Sequence, residues 1–590
     1  MMRSILPQAR GEKKADLVLK NARILDVFQE EIREADLALA SGYILGWGDY
    51  SGLEEIDVAG SHVAPAFIDP HMHVESSQMA PAHLAREITA RGITTIVADP
   101  HEIANVAGLA GIRYLLAAGR VQPWNFYLML PSCVPATPWE EAGAELSARD
   151  LSDLLPDENI LGLGEVMDYR SVITGEENIW EKLDMCRGSF IDGHAPELGG
   201  SDLNAYLLGG IKADHECTTA REALEKVSRG MYVMIREGSV TRDLTSLLPA
   251  VNDSNLDSFM FATDDKDPRD IMGEGHLDRA VRLAISEGMK PERAYRLATL
   301  NPARALGFDR LGAVAPGRRA DLIILDDLED VKTSHVIKDG EFIFREGEWM
   351  GPAENEKSGD PYGDHCADEY DGGTGDEIRK RVFSSVNCDD VDREDFVLPA
   401  GKTYRVIELR DEQVITGEKM LVRYHSEKLT EFMDREVLSR LAAVERHRAS
   451  GKIGLGLVRG FGLRRGALAT SISHDSHNIM VLGRDPEDME RAVREIISTQ
   501  GGMAVVDEGR VMASLELPIA GLMADRPAAE LADKARKLRE AAGELGVDHP
   551  EPFMQLSFLS LPVIPELKLT VNGLFDVRKF EHVPLVEDGM

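Results

Sequence analysis

The spacing of hydrophobic residues divides the sequence into stretches of different character. Residues 16–63 predict short strands separated by turns, because apolar and polar positions alternate in segments such as DLVLKNARILDV. A similar pattern returns at 312–347, in segments such as SHVIKDGEFIFREG. We expect residues 1–65 and 306–350 to pair in space as one composite β-sandwich domain.

Eight short apolar segments lie between these two stretches. Apolar residues at helical spacing indicate helices over 81–92 and 276–288, and Pro291 is placed to open one helix over 291–307. Eight strands with helical crossovers are the number that a closed (β/α)8 barrel requires, so we predict an α/β fold with a catalytic barrel over 66–305. The predicted barrel strands are 62–69, 93–98, 126–130, 160–164, 189–192, 211–213, 231–235 and 258–263.

The chain beyond residue 350 divides into a short acidic stretch and a longer patterned one. Residues 351–377 are rich in glycine, proline and acidic residues, which is typical of a linker. Strand and helix patterns then resume, with helices expected over 487–502 and 527–545. The sequence therefore predicts an additional C-terminal α/β domain over 378–590.

Charge and cysteine usage limit the partners and the compartment. The 590 residues include 66 Lys and Arg against 102 Asp and Glu, a formal net charge of −36. A surface this acidic repels phosphate backbones and anionic lipid. We therefore expect a small-molecule substrate, and neither nucleic acid nor membrane as a partner. We see no secretory signal and no run of about 18 apolar residues, and expect a cytoplasmic protein. The five cysteines form no CxxC pair and are expected to be reduced thiols.

The sequence Asp69-Pro70-His71-Met72-His73 ends the first predicted barrel strand. Histidines at positions i and i+2 of a strand point to the same side, so both rings can reach one metal ion. Taken alone, the pair is equally compatible with two polar turn residues.

Four other predicted strands also end in side chains that bind metals. Glu165 ends the fourth strand, His194 the fifth and His215 the sixth, and Asp264 and Asp265 follow the eighth. Active sites of (β/α)8 barrels lie at this end of the strands, and these groups suffice to hold two divalent ions that activate a shared water. Each also has a structural alternative: a buried ion pair for the glutamate, hydrogen-bonded loops for the histidines, and a helix cap for one aspartate.

Several long motifs of this chain resemble the bacterial and archaeal adenine deaminase family of the amidohydrolase superfamily. The motifs are FIDPHMHVESSQMAP (67–81), GITTIVADPHEIANVAGLAGIRYLL (92–116), GEVMD (164–168), DGHAP (192–196), DHE (214–216), TDD (263–265) and the SHDSHN sequence at 473–478. The similarity extends over nearly the whole chain. It implies hydrolysis of adenine to hypoxanthine and ammonia in purine salvage, by a metal-activated hydroxide that attacks C6.

The resemblance also implies roles for individual residues. His71 and His73 would bind one ion, His194 and His215 the other, and Glu165 would bridge the two. Asp264 would be a ligand that takes the proton from the bridging water. The implied cofactor is a pair of divalent ions, manganese or iron, with zinc a further option, and the expected assembly is a homodimer.

Other polar residues near the strand ends are candidates for contacts with substrate. His101 and Glu102 follow the second strand and are expected to protonate the purine ring, to bind an extra metal, or to form a structural turn. Arg236 and Glu237 follow the seventh strand and either hold the base or pair with each other. His474, Asp475 and His477 of the SHDSHN motif are expected to cover the substrate and exclude water, or to form a polar turn.

Two alternative functions remain open at the level of sequence. One is a binuclear amidohydrolase that acts on a cyclic amide or on a different aminopurine, although Glu165 and the long C-terminal region argue against it. The other is a catalytically silent scaffold, although all six candidate ligands are present. The zinc deaminases of the cytidine type are excluded, because the chain lacks their PCxxC motif.

Overall fold

Five strands near the start of the chain form the first part of a small sheet. Two short helical turns, Met2–Ile5 and Leu6–Ala9, precede them. The computed structural model describes residues 2–351, 375–410, 415–424 and 426–587. The five strands are Ala15–Asp26 (β1), Glu31–Ala40 (β2), Tyr43–Trp47 (β3), Gly52–Asp57 (β4) and His62–Pro65 (β5).

Eight parallel strands then form a barrel, which confirms the predicted (β/α)8 fold. The first and last strands meet where the amide of Asp264 donates to His71 O (3.1 Å) and the amide of His73 donates to Asp264 O (3.3 Å). The barrel strands are Phe67–Met72 (β6), Ile93–Ala98 (β7), Asn125–Pro131 (β8), Ile160–Val166 (β9), Phe190–Gly193 (β10), Ala213–Asp214 (β11), Tyr232–Arg236 (β12) and Phe259–Ala262 (β13).

Helices connect the barrel strands. The single helix predicted to start at Pro291 is wrong, because the segment forms two helices, Pro291–Leu297 and Leu300–Ala305. Pro302 lies in the first turn of the second helix, where its missing N–H is tolerated. The remaining helical segments of this region are Glu75–Ser77, Pro81–Thr89, His101–Ala107, Leu109–Arg120, Ala148–Ser152, Tyr169–Thr174, Glu177–Met185, Gly200–Leu207, Ala220–Val227, Leu244–Leu247, Leu248–Ala250, Leu256–Ser258, Pro268–Gly273 and Leu277–Ser286.

Four strands after the barrel complete the small sheet, and the predicted pairing of the two segments is confirmed. They are Leu322–Leu325 (β14), Thr333–Lys338 (β15), Glu341–Arg345 (β16) and Glu348–Trp349 (β17). β14 pairs with β5, so both segments belong to one nine-stranded sheet. The predicted first barrel strand, 62–69, is therefore wrong over 62–65. Pro65 ends β5 because it has no N–H to continue the ladder, and the barrel strand begins at Phe67.

The C-terminal region contains a second eight-stranded sheet and a small three-stranded one. Most of the predicted linker, residues 352–374, lies outside the described residues, as does Cys366, and residues 375–377 begin a helix. The strands are Thr403–Leu409 (β18), Thr416–Val422 (β19), Leu438–Val444 (β20), Ile453–Arg459 (β21), Ala467–Thr470 (β22), Ile479–Gly483 (β23), Gly502–Asp507 (β24), Arg510–Glu516 (β25), Leu567–Thr570 (β26), Gly573–Asp576 (β27) and Glu581–His582 (β28). The helices are Gly375–Phe383, Arg393–Phe396, Leu429–Glu436, Pro486–Ser498, Ala528–Glu544 and Pro552–Ser557.

The C-terminal region packs directly on the barrel. One buried hydrophobic cluster contains Leu84 of the barrel together with Leu522 and Leu538 of the C-terminal region. The loop between β22 and β23 reaches the barrel, where Asn478 Nδ2 donates to Glu141 O at 2.8 Å. The two regions therefore share a core, and this loop is held against the ends of the barrel strands. Within the described ranges, no helix combines the length and the hydropathy that crossing a bilayer demands.

Candidate metal centre

The carboxyl ends of the barrel strands bring four buried ligand groups together. His73 Nε2 lies 2.9 Å from Glu165 Oε1 and 3.2 Å from Asp264 Oδ1. His71 Nε2 lies 3.3 Å from Glu165 Oε1 and 3.5 Å from Asp264 Oδ1. Divalent ions bind nitrogen and oxygen at about 2.0–2.2 Å, which places two ligands of one ion about 2.8–3.6 Å apart, from octahedral to tetrahedral geometry. Each of the two histidines is therefore close enough to both carboxylates to share a divalent cation with them.

The second oxygen of Glu165 faces a different pair of histidines. Its Oε2 lies 2.9 Å from His194 Nδ1 and 3.6 Å from His215 Nε2. Glu165 thus offers one oxygen to each histidine pair, which is the arrangement of a carboxylate that bridges two ions. The side chains predicted as metal ligands from the strand ends are brought together here.

Unpaired buried atoms support the fit of a cation. Among the described residues, His71 Nε2 and Glu165 Oε1 are buried without a hydrogen-bond partner. Buried polar atoms are rarely left unpaired, and two facing lone pairs repel each other. A divalent ion between the two atoms would satisfy both.

Acceptors behind the histidines fix the orientation of their rings. His71 Nδ1 lies 3.0 Å from Asp192 Oδ2, and His73 Nδ1 lies 3.1 Å from the carbonyl oxygen of Asp99. Each contact holds the proton on Nδ1 and leaves Nε2 free to face the centre. The sequence prediction did not include Asp192. A local signal was present, because Asp-x-His occurs at Asp69, Asp99 and Asp192 alike.

The mutual charges of the centre favour ionised carboxylates. Burial alone would raise the pKa of Glu165, but the surrounding histidines hold it well below its ordinary value. Burial alone would lower the pKa of His73, but Glu165 and Asp264 raise it well above its ordinary value. Positive charge at this position is therefore strongly stabilised, and a metal ion can supply it in place of protons.

Arg236 lies beside the centre and binds one of its carboxylates. Its Nη1 donates to Asp264 Oδ2 at 3.2 Å, and its Nη2 lies 3.0 Å from Asp243 Oδ2. It also pairs with Glu216. Glu237 instead accepts from Arg279 Nε at 3.0 Å, so the alternative in which Arg236 and Glu237 pair with each other is wrong.

The second strand end meets the loop from the C-terminal region. His474 Nδ1 lies 2.9 Å from Glu102 Oε1. Burial alone would lower the pKa of His474, but Glu102 raises it to about 9. His101 lies between the metal centre and this loop. Its Nδ1 is 3.8 Å from Glu165 Oε1, and its Nε2 is 4.0 Å from Asp475 Oδ1.

His477 lies deeper in the same loop and is held in one tautomer. The amide of Ser473 donates to His477 Nδ1 at 3.1 Å, so the ring proton lies on Nε2. Burial lowers the pKa of His477 well below its ordinary value, so the ring is neutral. An Nε2 that carries the proton cannot bind a metal ion, although Glu102, His474 and His477 lie close enough together to form a ligand group.

Comparison with known proteins gives matches over both regions. Residues 62–343 match the amidohydrolase family, and residues 413–581 match the adenine deaminase C-terminal domain. A protein of Petrotoga mobilis named adenine deaminase is 48% identical over 584 residues, which is 99% of each chain. Adenine deaminase 2 of Carboxydothermus hydrogenoformans is 43% identical over 586 residues, again 99% of each chain. Adenine deaminase of Geobacillus kaustophilus is 42% identical over 583 residues, 98% of each chain.

Proposed function

Because this chain belongs to the adenine deaminase family of amidohydrolases, we propose that it hydrolyses adenine to hypoxanthine and ammonia. The observation that carries the proposal is the position of Glu165, whose two oxygens face two separate histidine pairs at the carboxyl ends of the barrel strands. That arrangement supports hydrolysis assisted by two metal ions, and the family membership supplies the substrate.

The proposed cofactor is a pair of divalent ions. His71, His73 and Asp264 would hold one ion beside Glu165 Oε1, and His194 and His215 would hold the other beside Oε2. Histidine and carboxylate ligands suit manganese and iron, and zinc as well. When bound, such a pair lowers the pKa of a shared water toward neutrality and so supplies the nucleophile for C6.

Asp264 is the proposed proton carrier. Its Oδ1 faces His71 and His73, while its Oδ2 accepts from Arg236 Nη1 and from Thr241 Oγ1 at 3.3 Å. The outer oxygen is thereby fixed, and the inner one faces the two histidines, where the metal-activated water would lie. Asp264 would take a proton from that water and pass it to the departing ammonia. Arg236 would act as a positioning residue that keeps the carboxylate in this orientation.

His101 and Glu102 are the two groups that we propose for proton delivery to the purine ring. Both are buried at the end of β7, and Glu102 is bound by His474 from the C-terminal loop. That loop, with Asp475 and His477, would cover the substrate and exclude water. Glu102→Gln and His101→Asn distinguish the two groups, because loss of the proton donor lowers kcat, whereas loss of a group that only binds the base raises KM.

The direct test is an assay of the purified protein with adenine, after removal of metal and after reloading with manganese or iron. We expect hypoxanthine and ammonia in equal amounts, formed only by the reloaded protein. Asp264→Asn is the matched control, since it retains the histidines and Glu165. A reloaded protein that holds two ions per chain and leaves adenine unchanged would refute the proposed substrate. Failure to bind metal would refute the proposed centre.

A further inference from the structure

One buried carboxylate touches a histidine of each proposed metal site. Asp192 Oδ2 lies 3.0 Å from His71 Nδ1 and 3.6 Å from His215 Nδ1. The two rings stack on each other with centroids 4.0 Å apart and an interplanar angle of 17°. Both side chains therefore present the same edge to the same oxygen.

We infer that Asp192 is a positioning residue shared by the two metal sites, so that its loss weakens the binding of both ions together. His71 faces Glu165 Oε1, and His215 faces Glu165 Oε2, so the two rings serve different ions in the proposed function on which this inference rests. A carboxylate behind a ligating imidazole fixes its tautomer and strengthens it as a ligand. Here one carboxylate acts on both rings.

The contact with His215 is electrostatic rather than a full hydrogen bond. At 3.6 Å the two atoms are farther apart than hydrogen-bond partners, and His215 Nδ1 is buried without such a partner in the described part of the chain. The negatively charged carboxylate of Asp192 is what faces this ring nitrogen. His73 is held differently, because its Nδ1 contacts the backbone carbonyl of Asp99.

The backbone fixes the orientation of Asp192. Its Oδ1 accepts from the amide of Gly193 at 2.9 Å, which leaves Oδ2 for the two histidines. In Asp192→Asn, the amide group of the new side chain must face either the Gly193 amide or the ring N–H groups. Either way a donor meets a donor, so asparagine cannot replace the carboxylate although it has the same shape.

The test is a titration of metal-free wild type and Asp192→Asn with Mn²⁺, with free Mn²⁺ followed by electron paramagnetic resonance. We expect both dissociation constants of the variant to rise by about 10–100-fold, the usual effect of removing a partner behind a ligand. Asp278→Asn is the matched control, because Asp278 is also buried but accepts from the amide of His276. Its two dissociation constants should equal those of the wild type.

The outcomes separate this inference from the proposed function. A wild-type protein that binds fewer than two ions refutes the metal pair itself. Normal wild-type binding, with Asp192→Asn weakened at one site only or at neither, refutes the shared role of Asp192 and leaves the metal pair intact.

A measurement on the wild type keeps the inference testable if Asp192→Asn does not fold. In the Co²⁺-loaded protein, the N–H protons of ligating imidazoles give shifted proton resonances. We expect a slowly exchanging resonance from both His71 and His215, because both rings are buried and the charge of Asp192 stabilises the proton on each Nδ1. Rapid exchange, or absence, of either resonance would overturn the inference.

Discussion

Replacing Lys226 with methionine tests whether one buried ammonium holds two metal-binding strand ends together. Lys226 Nζ donates to Asp214 Oδ2 (2.9 Å), to Glu222 Oε1 (2.8 Å) and to the carbonyl oxygen of Ala195 (2.7 Å). Asp214 precedes His215, and Ala195 follows His194. The side chains of Lys226 and Asp214 are both fully buried, at 0% exposure.

The expected loss of stability follows from this geometry. Burial alone would raise the pKa of Asp214, but Lys226 lowers it from 3.8 to about 2. At about 1.36 kcal/mol for each pKa unit, the ionised carboxylate is favoured in the folded protein by roughly 2 kcal/mol. Removal of one partner of a buried pair costs about 3–5 kcal/mol, because the other charge is left without compensation. We expect Lys226→Met to lower the free energy of unfolding by about that amount.

Lys182→Met is the matched control. Lys182 is also buried, but its Nζ donates to the backbone carbonyl of Ser132 at 2.7 Å. Loss of that hydrogen bond should cost about 1–3 kcal/mol. Guanidinium denaturation compares the two variants on the same scale. Equal losses for Lys226→Met and Lys182→Met would refute the reasoning.

A double-mutant cycle isolates the ion pair itself. Asp214→Asn removes the charge that Lys226→Met leaves unpaired, so the double variant should be more stable than the sum of the single losses predicts. We expect a coupling of about 0.5–3 kcal/mol. Additive losses would show that Lys226 stabilises the strand ends only by filling space.

Three further outcomes follow from the site and its surroundings. Asp264→Asn should lower turnover by about 10²–10⁴-fold with most of the metal retained, whereas His71→Ala should lose metal and activity together. Metal analysis of each variant, carried out together with the adenine assay, checks both. His474→Ala should lower turnover of adenine and leave the free energy of unfolding nearly unchanged, because it uncovers Glu102 without opening the barrel core. Wild-type kcat and KM in this variant would contradict the role of the loop. Burial raises the pKa of Glu140 to about 8, so the folded protein holds a proton that the unfolded chain releases, and stability falls as the pH rises from about 4.5 to 8. Glu140→Gln should remove this fall, so above pH 8 the variant should be more stable to unfolding than the wild type by up to about 5 kcal/mol. Denaturation midpoints that change with pH in parallel for both proteins would contradict it.

The strand ends of the barrel could be predicted from the sequence because the relevant signals are local. A buried apolar segment followed by His, Glu or Asp identifies both the strand and its carboxyl end, and the barrel then brings these ends together. Glu165, His194 and His215 all follow this pattern. The split between β5 and β6 was missed because HVAPAFID has the composition of one continuous buried strand.

Contacts between distant segments could not be predicted in the same way. The pairing of Arg236 with Asp264 depends on the stagger of β12 against β13, and the contact of His474 with Glu102 depends on how the C-terminal region docks. No periodicity in the sequence encodes either distance. Asp192 could be predicted only in part. Its spacing from His194 is visible in the sequence, whereas its contacts with His71 and His215 are not.

The pairing of β5 with β14 sets an order of events during synthesis of the chain on the ribosome. Leu322 follows Pro65 by 257 positions (322 − 65), and the whole barrel is encoded between them. At about 5–20 residues per second, the ribosome delivers β14 about 13–50 s after β5. For that interval β5 has an open edge, while the barrel strands emerge and begin to pair. A nascent chain arrested before residue 322 would therefore expose this edge to other chains and to chaperones.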